Sequence, residues 1–375
     1  MSSTVSSTPV PPHGQSPLHA VQVLGSGAWG SGVHVRSLAA GLVARGLRVT
    51  VCAPWSAEQG YGFTAAGARF SPVDARTGAG DVAALRAACS GAGLVHAHGV
   101  RSGLLAALAL QGRSTPLIVT WHARGRPAGR RAHLARVVER RVARAAAVVL
   151  GASSDLVDRA RARGARDARL APVAVPARPP APDRGDDWWH KTRADLGAVE
   201  RPLLLSVGRL EADAGFDPLL DAAHAWRDLD PQPLLAVAGE GRDRAALQRR
   251  IDDEGLPVRL LGRRDDVPEL LAAADMAVLS SPWEARSLLA QEALHAGVPL
   301  VATAVGGVPD LVGEAAELVP YGSPEALAAA VLRLLSDPAR RAELAAAGLA
   351  QAAGWPTEDD TVAHVLRVYD EVAQR

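Results

Sequence analysis

Short apolar runs recur along the chain, each followed by a Gly- or Pro-rich turn and a stretch of helical pattern. Ala20–Gly25, Leu47–Cys52, Leu94–His98, Leu117–His122, Ala146–Leu150 and Arg169–Val175 form a first series. Leu203–Val207, Leu234–Ala238, Val258–Leu261 and Met276–Leu279 form a second. Runs this short and continuous read as buried strands, and their alternation with helices is the pattern of parallel sheets with crossover connections. Pro176–Asp187, rich in Pro and Asp, separates the two series as a linker. The expected class is therefore α/β with two Rossmann-like domains, which a length of 375 residues suits better than one. Hydrophobic residues make up 48% of the chain and aromatics only 4%, so Ala, Leu and Val must do most of the packing.

The start, MSSTVSSTPVPPHGQSP, lacks the basic and apolar regions of a signal peptide and reads as a disordered tail over residues 1–17. No apolar run reaches the ~20 residues needed to span a bilayer. Cys52 and Cys89, the two cysteines, both lie in apolar surroundings, which argues against a disulfide framework or a thiolate metal site. These features suit a soluble protein of the reducing cytoplasm. The net charge of +1 hides an uneven distribution: residues 1–198 hold 25 Lys and Arg against 11 Asp and Glu, leaving 16 and 29 for the rest. From His122 to Ala145 eight arginines stand against Glu139 alone, with Arg136, Arg140 and Arg144 on one helical face. Leu134, Val137, Val138 and Val142 read as an apolar stripe, packed either on the helix's own sheet or on an anionic bilayer. Nucleic acid is the poorer partner, because no aromatic platform is interleaved with the arginines.

The stretch most suited to chemistry is Ser280–Asp310. Glu284 precedes an expected helix and Glu292 lies inside it, eight positions on. Ser287 is placed to cap that helix, and Gly297 with Pro299 to end it. The amides of Leu288, Leu289 and Ala290 would then lack intrahelical acceptors and form an anion site between two carboxylates. That arrangement would fit a nucleotide sugar; spacing alone equally allows a solvent-facing helix with surface glutamates.

The E-x7-E spacing followed by A-G-V-P-L-V-A-T-x-V-G-G-V-P-D resembles the signature of family-four retaining glycosyltransferases. Val207-Gly208-Arg209-Leu210, Gly239-Glu240-Gly241, Leu261-Gly262, Ala273-Ala274-Asp275 and Trp355 to Tyr369 continue the similarity, which spans roughly residues 20 to 375. The resemblance implies a GT-B fold, with two Rossmann-like domains facing across a cleft. An acceptor-side domain would cover residues 18–182 and a nucleotide-sugar domain 183–356, with a last helix within 357–375 crossing back onto the first. It further implies a nucleoside diphosphate sugar as donor, an acceptor of unknown identity, no cofactor and no metal at the site. Glu284 would bind donor sugar hydroxyls and Glu292 the ribose. Gly208, Arg209 and the helix start at Ser287, Leu288 and Leu289 would hold the diphosphate, with His122 near the transferred sugar. The Gly-rich segment Ser26–Gly32 follows the first run, and Gly30 matches the family's loop toward the donor. A helix from about Val33 would follow it. His98 reads equally as structural or functional, and His96 as structural.

Two departures stand out. The family's G-R-L-x-x-x-K-G aligns with Gly208–Gly215, where Arg209 is kept but the lysine is Ala214. The usual G-F-G between the glutamates is Ala285-Arg286-Ser287, so Arg286 is the expected replacement cation. A degenerate binder and a nucleotide-sugar epimerase are the rival readings.

Overall fold

The computed structural model describes residues 18–25, 29–74, 77–125, 129–171, 173, 174, 185–212 and 214–374. The expected tail, Ser26–Ala28 of the Gly-rich segment and most of the expected linker lie outside them. The chain folds as two parallel sheets with helices between successive strands. The first has β1 (His19–Leu24), β2 (Arg48–Ala53), β3 (Arg69–Pro72), β4 (Leu94–His98), β5 (Leu117–Trp121), β6 (Val148–Gly151) and β7 (Ala168–Leu170). Their order is β3-β2-β1-β4-β5-β6-β7. The second has β8 (Leu203–Val207), β9 (Leu234–Ala238), β10 (Val258–Gly262), β11 (Met276–Leu279), β12 (Leu300–Thr303) and β13 (Glu317–Val319), in the order β10-β9-β8-β11-β12-β13. Each order reverses once, between β1 and β4 and between β8 and β11. In open α/β sheets ligands bind outside the carboxyl ends of the strands at such reversals.

Full burial explains why β5 and β9 are mainly apolar runs, whereas β4 buries His96 and His98 among its apolar residues. The structure adds β3, an edge strand with no apolar run: only Phe70 in Arg-Phe-Ser-Pro is hydrophobic, and none of its residues is buried. Edge strands of this length are often short and polar, and so carry little periodic signal. The helix expected from Val33 begins at Trp29. Gly30 and Gly32 therefore sit in its first turn, and a Cβ on Gly32 would lie 2.1 Å from the Tyr61 ring. The absence of a side chain at Gly32 serves helix packing.

The helix Arg130–Ala145 corrects a second expectation. Leu134 and Val137 are 64% and 52% exposed, whereas Val142 and Ala143 are fully buried. The apolar residues thus divide between two faces, and Leu134 and Val137 share the outer one with exposed Arg136, Arg140, Arg141 and Arg144. Among the described residues no helix is long and apolar enough to cross a membrane.

The chain divides into two compact units: Met1–Thr120 with His133–Val148 and Val362–Arg375, and Trp121–Ala132 with Val149–Thr361. In the first, the last helix (Glu358–Ala373) packs its buried Val362, Val365, Val368, Tyr369 and Val372 inward. A Cβ on Gly41 would lie 2.5 Å from Val362, so the helix Trp29–Ala44 receives the last helix at a glycine. Gly41→Leu gains ~1 kcal/mol of helix propensity but overpacks this contact at a cost of ~1–3 kcal/mol. A lowered midpoint in thermal unfolding is the expected result.

Candidate functional site

In the second unit the crevice at the β8/β11 reversal is built from the loops that follow those strands. Gly208 and exposed Arg209 follow β8, and Ser280 to Glu284 follow β11. The loops lie backbone against backbone. Leu210 N donates to Glu240 O at 3.0 Å and Asp243 N to Leu210 O at 3.0 Å, which joins the turns after β8 and β9. Gly307 N donates to Glu284 O at 2.8 Å. Gly306, with φ of 55°, passes so close beneath Glu284 that a Cβ would lie 2.1 Å from the Glu284 carbonyl. The Val-Gly-Gly-Val stretch is therefore a support for Glu284.

Ser287 caps the helix Leu288–His295 as its position predicts, its Oγ accepting from Ala290 N at 3.4 Å. That bond takes one of the three amides expected for an anion. Leu288 and Leu289, the first two helical residues, keep amides that helix geometry leaves without an intrahelical acceptor. Gln291 Nε2 donates to Ser287 O at 3.2 Å and fixes the cap from the other side. Half-buried Glu292 stands about 7 Å farther along the axis at the α-helical rise.

Desolvation raises the Glu284 carboxyl above its ordinary range, while the hydrogen bond from Ser281 and the charge of Arg209 pull it part of the way back. Arg209 and Glu284, 75 residues apart in sequence, thus belong to one electrostatic site. Glu211 is drawn in too: the Arg242 hydrogen bond first, and then the charges of Arg242 and Arg209, hold its carboxyl below the usual range. Arg242 Nη2 lies 2.7 Å from Glu211 Oε2. Ala214 packs against the core of this unit, next to Gly215 at the start of the helix Phe216–Ala223. Arg286 has other partners: Nη2 donates to Gln291 Oε1 at 3.3 Å and its guanidinium lies 5.8 Å from the Trp355 ring centre. Burial lowers its pKa to about 10. Half-exposed His122 directly follows β5, beyond the strand expected to contain it.

A brace beside Glu284 was not among the expected features. Trp283 Nε1 donates to Asp155 Oδ2 at 2.8 Å, Ser153 Oγ donates to Asp155 Oδ1 at 2.6 Å, and Arg124 lies over the Trp283 ring at 5.9 Å. Ser154 Oγ donates to Asp310. The one available signal was an unusual Trp directly before the first glutamate.

Ionised Glu284 carries a desolvation cost that a neutral amide avoids. Its folded pKa is raised, so the cost is complete above that raised value, shrinks as the pH falls through it, and is gone below the ordinary Glu value of about 4.3. Glu284→Gln should therefore melt higher than the parent at pH 7 and level with it in acid. Equal melting at pH 7 would contradict this environment.

Residues 190–351 match the family described as Glycosyl transferases group 1, and residues 30–176 the Glycosyl transferase 4-like domain. A D-inositol 3-phosphate glycosyltransferase of Salinispora arenicola is 33% identical over 311 residues, covering 74% of this chain and 68% of that one. A GDP-mannose-dependent monoacylated alpha-(1-6)-phosphatidylinositol monomannoside mannosyltransferase of Corynebacterium glutamicum is 34% identical over 179 residues. That match covers 44% of this chain and spans about half the relative's length, 47%. Among solved structures, HepE of Anabaena in complex with UDP-glucose superposes with a TM-score of 0.79 at 20% identity, covering 94% and 100% of the two chains. Sucrose-phosphate synthase of Thermosynechococcus elongatus gives 0.77 at 22% identity, covering 95% and 99%. At these identities the likeness is one of fold, the two-domain GT-B arrangement.

Proposed function

Because the chain belongs to the family-four glycosyltransferases, we propose that it moves a sugar from a nucleoside diphosphate donor to a hydroxyl acceptor with retention at the anomeric carbon. The observation that carries this reading is the placement of Arg209 and Glu284 on the loops that follow β8 and β11, at the reversal and beside a helix that opens on two amides. The diphosphate takes Arg209 and the amides of Leu288 and Leu289. Glu284 accepts from sugar hydroxyls, and Glu292, one turn deeper, accepts from the ribose. The bond from the anomeric carbon to the phosphate oxygen breaks, the bond to the acceptor oxygen forms on the same face, and the departing phosphate takes the acceptor proton. Arg209 faces the negative charge that develops on that phosphate, where a placed cation contributes most. With Ala214 in place of a lysine, the Gly208–Gly215 loop offers Arg209 as its cation. Arg286, held on Gln291 and Trp355, braces the helix start from behind.

Hydrolysis or transfer across UDP-, GDP- and ADP-sugars tests the reading. Once a nucleotide is identified, Glu292→Ala should weaken its diphosphate form by ~1.5–3 kcal/mol, the worth of a charge-assisted hydrogen bond, in titration calorimetry. Glu284→Ala should depress transfer more than it weakens nucleotide binding. Equal losses of affinity in both would sink the division of roles.

The names of two relatives include an inositol phosphate and a phosphatidylinositol mannoside, so a phosphorylated polyol, free or lipid-borne, heads the acceptors to assay. The outer face of Arg130–Ala145 supports the lipid-borne form, because Leu134 and Val137 stand exposed among arginines. Each cation at an anionic surface contributes about 1 kcal/mol. Vesicles containing phosphatidylserine should therefore retain the protein better than neutral ones, with retention falling as salt rises. Charge reversal at Arg136, Arg140 and Arg144 should abolish the difference; indifference to lipid charge in the parent would remove the membrane from the picture.

A further inference from the structure

Trp283 stands directly before Glu284, and its indole is held by more than packing requires. Nε1 donates to Asp155 Oδ2 at 2.8 Å, and Asp155 Oδ1 accepts from Ser153 Oγ at 2.6 Å. Ser153 occupies the capping position of the helix Ser154–Ala162, yet its hydroxyl caps no amide of that helix. A hydroxyl at such a position ordinarily serves the helix. Here it serves the carboxyl that receives the indole. The fold tolerates unpaired indoles elsewhere: among the described residues, the buried Nε1 atoms of Trp121 and Trp226 have no acceptor. With both Asp155 oxygens engaged, the carboxyl cannot turn without breaking a bond, and the indole plane is fixed with it.

The backbone around Glu284 is pinned as well. A Cβ on Gly306 would lie 2.7 Å from Trp283 Nε1, besides meeting the Glu284 carbonyl. One on Gly307 would lie 2.2 Å from Ala285 O and 2.5 Å from Ser153 Cβ. Residues 283–285 thus touch the Gly306-Gly307 turn, while Ser153 and Asp155 join the same cluster, all within the second unit. The Glu284 carboxyl projects from this fixed stretch and takes a hydrogen bond from Ser281, whose carbonyl accepts from Thr303 Oγ1 at 2.6 Å. The helix Leu288–His295, which carries Glu292, is fixed separately by its cap at Ser287.

We propose that Trp283 and Asp155 are positioning residues for Glu284: Asp155 fixes the indole, and the fixed indole aims the neighbouring carboxylate at the donor sugar. The proposal rests on the reading above for the sugar as the target, but not for the orienting of Glu284 itself. Without the indole anchor the 283–284 peptide can turn, and the carboxylate loses its direction. The nucleotide end of the site, on the separately capped helix, keeps its geometry. Loss of the anchor therefore separates the sugar from the nucleotide, and misplacement of a positioned group lowers turnover.

Three substitutions in the full chain test this. Trp283→Phe keeps a ring against Gly306 and removes the N–H, and Asp155→Ala removes the acceptor while leaving the indole. Asp155→Asn is the conservative control, because its oxygen can accept from the indole and its amide can donate to Ser153 Oγ. The carbon-13 carboxyl resonance of Glu284, identified by its loss in Glu284→Gln, should move in Trp283→Phe and Asp155→Ala and hold in Asp155→Asn. Calorimetry should show UDP-glucose or GDP-mannose bound about tenfold more weakly by the first two variants, with UDP and GDP affinities within twofold of the parent. Their kcat for hydrolysis or transfer should fall about tenfold, and Asp155→Asn should stay within twofold throughout. The double variant Trp283→Phe/Asp155→Ala should be no worse than the poorer single one, since both break the same bond. An unmoved Glu284 resonance in both Trp283→Phe and Asp155→Ala overturns the positioning. Equal losses of UDP and UDP-glucose affinity, or of GDP and GDP-mannose affinity, reduce the brace to a fold contact and overturn it too. A parent chain that binds none of these nucleotides removes the transfer reading and the sugar as target, while the resonance still decides whether Trp283 orients Glu284.

Discussion

The candidate site depends on backbone lying directly against backbone at the carboxyl ends of the second sheet. A Cβ on Gly239 would lie 1.8 Å from Gly208 O, one on Gly241 2.0 Å from Leu210 O, and one on Gly215 2.1 Å from Ser280 O. No side chain fits between these loops. Once they touch, their carbonyls and amides satisfy one another, and the side chains they carry converge at the β8/β11 reversal from strands far apart in sequence. The glycines around Arg209 and Glu284 are thus chiefly structural. They bring two charges together by letting two chains approach, and the chemistry belongs to their neighbours.

Where a feature depends on local pattern, the sequence carried it. The runs Leu94–His98, Leu203–Val207, Leu234–Ala238 and Met276–Leu279 coincide with β4, β8, β9 and β11, since buried parallel strands are predominantly apolar. Ser287 was legible as a cap because capping uses a hydroxyl three residues before the amide it serves. Features that depend on contact with distant chain were not legible. Gly32, in the first turn of the first helix, packs on the Tyr61 ring, whereas a run of glycines read in isolation suggests a loop. The bond from Trp283 to Asp155 joins residues 128 apart and leaves no periodic trace. His-x-His in β4 did show that two histidines share a face, but the partners of that face, Gln22 and Tyr369, are far off in the chain.

The basic helix shows how a pattern can be read correctly and its burial misjudged. Its arginines do share an outer surface. Val142, Ala143 and Glu139, however, are buried, while Leu134 and Val137 stay outside with the charges. An amphipathic wheel identifies a face but not which neighbour covers it. Here the outer face combines long cations with exposed aliphatic side chains.

The hydrogen bond from Gln22 to Tyr369 closes a loop of 347 residues. During synthesis β1 leaves the ribosome early, while the partner for its buried amide is among the last residues made. Until then the first unit lacks Tyr369 and the valines of its final helix, and the face of the sheet they cover stays open. Such contacts are the slowest for a chain to find, because nearly the whole polymer must be in place before they can form. The first unit is therefore complete only once its C-terminal helix has been made.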